Sequence, residues 1–233
     1  MHMKQKQLGL ALAITAAVLW NGWILAIFIY PHTTWLHMEI SELSIPVQPW
    51  SWLFRILDGL SALCMIGLAL VQLRIKKLPA RWMIAGSLLL LALGLLTLFD
   101  ITHSLDCVQY NHPACIAAVA NHSTSMHDLA HKSESLVTSY ISIFFALWVL
   151  CLNIRLRRGV TMITWSGILA LGIVGSLAIL NAAHSLLLFA VTDRLWNLVL
   201  SADLLMLANS LIVLYELRPG SLKFVLALVR AKR

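Results

Sequence analysis

The stretch "LGLALAITAAVLWNGWILAIFIY", residues 8–30, decides how the rest of the chain is read: 23 consecutive residues carry no charged side chain. As a helix it would extend roughly 34 Å, enough to cross a hydrocarbon core of about 30 Å. Lipid offers the backbone no hydrogen-bond partners, so a run of this kind is read as a spanning helix. The basic start with Lys4 and Lys6 resembles a signal sequence. The run is too long for one and has no small-residue cleavage site, so a retained helix is expected.

Working outward, the composition agrees: 60% of the 233 residues are hydrophobic, 12% are charged, and nine are Trp. That combination belongs to a polytopic membrane protein. Five further apolar runs follow at about 50–73, 82–103, 127–153, 162–187 and 195–217. The expected fold is all-α, a bundle of six transmembrane helices forming one domain over residues 1–217. Residues 218–233, "RPGSLKFVLALVRAKR", are too short and too basic to span, and are expected to lie along the membrane surface as an amphipathic tail. A short turn around Thr192 and Asp193 would join the last two runs. None of the runs has an interior proline, so no broken helix is expected.

Basic residues orient the bundle. Lys4, Lys6, Arg74, Lys76, Lys77, Arg81, Arg155, Arg157, Arg158, Arg218, Lys223, Arg230, Lys232 and Arg233, 14 of the 17, fall on one side of the six-run topology. Short cytoplasmic loops retain Lys and Arg, so both termini are expected in the cytoplasm. The formal charge of +7 then reflects topology and anionic lipid, and a nucleic-acid partner is excluded. On the outer side, Cys107 and Cys115 share one loop where oxidation is permitted, and a disulfide is expected between them. Cys64 and Cys151 fall within runs and read as packing residues.

Ionisable groups inside spans are costly and mark sites. Asp58 lies two turns down the second run, Asp100 one turn before the end of the third, and His127 and His131 occupy the first two turns of the fourth. His184 ends the fifth and Arg194 opens the sixth, so these groups share one level beneath the outer surface. Asp203 is deeper. Residues three or four apart share a helix face. His127, His131, Ser135, Thr138 and Ser142 therefore form a polar stripe, as do Asp100 with His103, and Asn197 with Ser201. Turned away from lipid, they predict a polar cavity open to the outer side.

His127-Asp128-x-x-His131 has the spacing of HExxH zinc helices, in which two histidines one turn apart hold the metal and the acid between them is the general base. Here the acid is Asp128, one methylene shorter. Zinc or another divalent transition metal would take its third ligand from Asp100, His184 or Asp58; the alternative is that both histidines only hydrogen-bond the outer loop. Arg194 could receive an anionic headgroup or pair with Asp100. Glu42, between Trp35 and Trp50 in a loop expected to fold back over the cavity, could act as acid or base, cap a helix, or pair with Arg194.

The order "ISEL" (40–43), "FD" (99–100), His127 opening the fourth run and "DRLW" (193–196) resembles the prokaryotic membrane family called domain of unknown function 998 (DUF998). The resemblance implies six helices, a prokaryotic inner or cytoplasmic membrane, and attention to Glu42, Asp100, His127 and Arg194, with the pocket facing the periplasm or exterior. It implies no reaction.

Two function classes follow. One is a metal-dependent hydrolase or transferase acting on lipid or lipid-linked headgroups, with Asp128 or Glu42 as base and Arg194, His103 and Ser135 contacting substrate. The other is a non-enzymatic sensor, small-solute binding protein or transporter using the same cavity. Bis-histidine haem ligation drawn from His103, His127, His131 and His184 is a third arrangement.

Overall fold

The computed structural model describes residues 2–30, 40–74, 80–103, 126–155 and 186–216. Helix α1 (His2–Trp20) leads through a 3-10 turn (Gly22–Leu25) to the short α2 (Ala26–Ile29), and a second 3-10 turn (Ser41–Ser44) precedes α3 (Ser51–Leu73). Then come α4 (Ala80–Thr102), α5 (Met126–Arg155) and α6 (Leu186–Glu216), with no strand among the described residues.

The helices pack into a ring: α1 lies against α3 and α6, α4 against α3 and α5, and α5 against α6. Small residues set the spacing. Ala13, Ala16 and Ala17 of α1 are buried, and the Ser61 hydroxyl of α3 donates to the Ala16 carbonyl at 3.0 Å. A methyl group at Gly94 would meet the Ala62 carbonyl at 2.9 Å, and one at Gly86 would sit 2.2 Å from the Trp148 ring. Backbones approach this closely where packing, rather than hydrophobic transfer, joins helices. Large side chains face outward instead: Phe28 is 82% exposed, Val18 67% and Leu88 58%. In water so much exposed apolar surface would be a liability, whereas in lipid it is the solvated face. Three helices, Ser51–Leu73, Arg81–Thr102 and Ser133–Ile154, are long and apolar enough to cross a membrane, and the bent pair through Gln5–Trp20 and Gly22–Ile29 makes a fourth if counted as one span.

Two expectations are corrected. The first apolar run is broken, by 42°, at Asn21. Gly22 permits this because the chain there presses on α3: an added methyl would lie 2.7 Å from Leu57 Cδ1. Asn21 secures the break, donating from Nδ2 to the Ala17 carbonyl at 2.8 Å and to the Ser201 hydroxyl at 2.6 Å. The second correction concerns Thr192 and Asp193, which lie inside α6 and not in a turn. "LLLFAVTDRLW" holds neither Gly nor Pro, so nothing in it stops a helix, and α6 begins nine residues before the expected 195.

Helix directions place the ends. The chain reaches one end of the ring at Tyr30, at His103 and at the starts of α3, α5 and α6. The opposite end carries Lys6, Arg74 and Arg81. The buried Ser210 hydroxyl of α6 donates to Asn153 Oδ1 of α5 at 2.7 Å, and both helices carry their early residues toward the same cavity. Consequently α5 and α6 are parallel neighbours.

Candidate functional site

At the Tyr30 end the ring does not close on itself. A cavity of about 150 Å³ opens there, walled by α1, α3, α4, α5 and α6. The reason lies in the sequence: this level of each helix carries polar rather than bulky apolar side chains. Asp58 comes from α3, Thr97 and Asp100 from α4, Glu134, Ser135, Thr138, Ser139 and Ser142 from α5, and Asp193 and Asn197 from α6. Trp20, at the break in α1, and Trp196 add two indole faces, while Ile40 and Ser41 close over the mouth.

The loop that brings Ile40 there is fixed at several points. The Ile40 N–H donates to Asp193 Oδ2 at 3.3 Å, and the Tyr30 hydroxyl donates to the Pro49 carbonyl at 2.9 Å. Leu43 is fully buried against Trp23, Tyr30 and Phe54. Trp50 adopts a left-handed conformation (φ 65°) as the chain turns into α3. Thus the segment leading into α3 folds back over the cavity, through Ile40 and Ser41.

Within the cavity, polar groups are held by their own helices. The Thr138 hydroxyl donates to the Glu134 carboxylate, Ser139 to the Ser135 carbonyl at 2.8 Å, and Asn197 Nδ2 to the Asp193 carbonyl at 2.9 Å. Arg55 of α3 turns toward the end of α4, its guanidinium donating to the Ile101 carbonyl, with Nε at 3.2 Å. A cation at a helix C-terminus is favourable, and its side chain satisfies a carbonyl that the helix leaves open. Four acidic residues from four helices thus line one small space. Among its described lining residues no Lys, Arg or His appears.

Comparison with protein-family models, with curated proteins and with solved structures finds no match for this chain. The site therefore has to be read from its own chemistry.

Of the residues singled out from the sequence, Asp58, Asp100, Ser135, Thr138, Ser142 and Asn197 line the cavity. His103 turns back on its own helix: its ring stacks on Phe99 with centroids 4.0 Å apart, and Nδ1 lies 3.1 Å from the Phe99 carbonyl. Glu42 and Arg194 are both drawn inside, 2% and 5% exposed, and the Arg194 guanidinium sits 5.6 Å from the centre of the Trp23 ring, in cation–π reach. His127 and His131 belong to the first turns of the continuous α5, one turn apart and in line with Ser135; their side chains, with that of Asp128, lie outside the described residues. So do His184, Cys107, Cys115 and the 218–233 tail. Among the described residues no group of three or more His, Cys, Asp or Glu side chains is arranged to hold a metal ion. Cys64 and Cys151 are free thiols.

Sequence reasoning passed over Glu134, Asp193, Trp20 and Trp196 as site residues. Glu134 had a local signal, since Thr138 follows it by one turn and supplies a partner on the same face. Trp20 had none, because its place in the wall depends on the break that follows it.

Proposed function

We propose that this chain is an integral membrane protein that binds an ammonium group, from a small amine or from a lipid headgroup, in the cavity at its outer end, and that it serves as a carrier or receptor for it. The observation that carries this reading is the lining itself: Asp58, Asp100, Glu134 and Asp193 beside Trp20 and Trp196. Carboxylates and indole faces are the groups that recognise a quaternary or primary ammonium. The broken α1 at the cavity wall adds support for a carrier, since discontinuous helices line the sites of many transporters. The cluster of basic residues at the opposite end supports an outward-facing cavity. Six spans are supported by the parallel α5 and α6, because neighbours of that kind need the chain to return across the bundle between them.

The test is calorimetric titration of the detergent-purified chain with choline and ethanolamine, against acetate as an anionic control. Saturable binding of a cation, weakened at least tenfold in Asp58→Asn and Asp100→Asn, is expected. Nanodiscs with and without choline and ethanolamine lipids separate the two sources, because a lipid ligand would compete with the free amine. Equal binding by wild type and both variants sinks the reading.

A second reading has a specific observation of its own. His127 and His131 share one stripe of α5 with Ser135, so a zinc ion at the mouth would stand next to the acidic cavity and activate water against a lipid-linked headgroup. Elemental analysis of untagged protein, wild type against His127→Ala with His131→Ala, decides it: metal near one per chain and lost in the variant favours the hydrolase, and none in either removes it.

A further inference from the structure

Below the cavity, among the described residues, the interior of the ring holds a few neutral polar side chains and one acid. Asp203 of α6 is only 3% exposed, and its Oδ2 has no hydrogen-bond partner. It stands seven residues past Trp196, roughly 10 Å further along the helix, between Leu200, Leu204 and Leu207 of the core. A carboxyl group in such surroundings is tolerated neutral. Ionised, it needs water beside it or a compensating positive charge within electrostatic reach, since an uncompensated buried charge is costly.

The seam between α5 and α6 supplies a direction. Ser142, 1% exposed, lines the cavity, and its hydroxyl also lacks a hydrogen-bond partner. Further in, Ser210 and Asn153 are hydrogen-bonded across the seam. Ser142 and Asn153 are three turns apart on one face of α5, and Asp203 and Ser210 two turns apart on one face of α6. The register of the Ser210–Asn153 pair sets Asp203 opposite Ala146, a small residue one turn inward from Ser142. At this level α1 contributes Ala13, Ala16 and Ala17, and α5 contributes Phe145, Ala146 and Val149. None of these described residues titrates. The nearest acids toward the mouth are the four of the cavity, Asp58, Asp100, Glu134 and Asp193.

A link to the cavity also runs along α6. Ser201, two residues before Asp203, holds the Asn21 side chain at 2.6 Å and shares the Ala17 carbonyl at 3.3 Å. Trp20, beside Asn21, is part of the cavity wall. A ligand pressing on Trp20 thus acts on the segment of α6 that carries Asp203.

We propose that Asp203 is an internal proton-binding site, connected to the cavity past Ser142 along the α5–α6 seam, which releases its proton when a cation occupies the cavity. The carboxyl O–H bond breaks, the proton leaves to water through the cavity, and the bound cation compensates the carboxylate charge, so one positive charge replaces another. The inference builds on the ammonium-binding reading and extends it to proton-coupled exchange.

The experiment measures choline binding and proton release together, in weakly buffered detergent solution with a pH-sensitive dye. Wild type should release close to one proton per choline bound, Asp203→Asn should bind choline and release none, and Asp203→Glu should restore release. Equal release by wild type and Asp203→Asn, or choline binding without release by wild type, overturns the inference and leaves the cavity reading standing. Should wild type bind no choline, the cavity reading falls, and infrared spectra of the ligand-free chain decide for Asp203 alone. A protonated-carboxyl band deleted by Asp203→Asn keeps it as a proton site, and an unchanged spectrum removes it. Circular dichroism identifies a variant that has failed to fold, in which case Asp203→Glu carries the test.

Discussion

Replacing Gly86 by alanine probes the contact between α4 and α5, the neighbouring helices that bring Asp100 and Glu134 to the cavity wall. The new methyl would lie 2.2 Å from Trp148 Cζ2 and 2.4 Å from Cε2 and Cη2. Ordinary carbon contacts begin near 3.5 Å, so the helices must part, or the ring must move, by roughly 1 Å. The ring is poorly placed to yield, because it is buried and its indole N–H donates to the Trp82 carbonyl at 3.0 Å. Overpacking of this kind costs about 1–3 kcal/mol, and a lost hydrogen bond within a membrane bundle adds about 0.6 kcal/mol. The expected total is about 2–3 kcal/mol, measured as the shift in unfolding free energy when dodecyl sulfate is titrated into mild-detergent micelles. Trp148→Leu provides the partner variant: removing the ring should cost less in the Gly86→Ala background than in wild type, by about 1 kcal/mol or more, as contacting residues couple. Wild-type stability in Gly86→Ala, or an identical Trp148→Leu cost in both backgrounds, would refute the reasoning.

Asn21→Ala removes the two donations that hold the break in α1, at 2.8 and 2.6 Å, and at about 0.6 kcal/mol each should lower unfolding free energy by about 1 kcal/mol in the same titration. Orientation is open to labelling in intact cells. With the native cysteines replaced, Val47→Cys, at a site 76% exposed beside the cavity loop, should react with an impermeant maleimide added outside, and Arg74→Cys should react only after the membrane is opened. The reverse pattern would turn the topology over.

Apolar length and periodicity made the described helices readable: the runs near 50–73, 82–103 and 127–153 coincide within a few residues with α3, α4 and α5. The two departures arise from contacts the chain makes with itself. A glycine in an apolar run is ordinary in a membrane helix, and Gly22 becomes a break only because Leu57 and Ser201 wait on neighbouring helices. Likewise Thr192-Asp193 reads as a turn locally, yet neither residue stops a helix. The site was legible where depth and face both followed from spacing, as for Asp58, Asp100, Ser135, Thr138 and Ser142. It was not legible where rotation of a helix decided the matter. Glu134 turns in beside Thr138, while His103, one turn past Asp100, folds onto Phe99.

The break at Asn21 also divides the hydrophobic interior. On one side lies the main core of the ring, including Ala13, Ala16, Met65, Leu90, Phe145 and Leu204. On the other, Trp23, Ala26, Tyr30, Leu43 and Phe54 form a separate cluster beneath the folded-back loop. Both clusters are anchored on one helix: Phe54, near the start of α3, completes the smaller, and Met65 and Leu68 further along α3 belong to the larger. Tilting the smaller cluster on the bundle would strip Trp23, Tyr30 and Leu43 from Phe54, besides breaking the Asn21 clasp and the Ile40–Asp193 bond. The segment over the mouth is therefore a fixed roof, held by buried aromatic side chains as well as by hydrogen bonds, and the entrance to the cavity is set when the bundle packs.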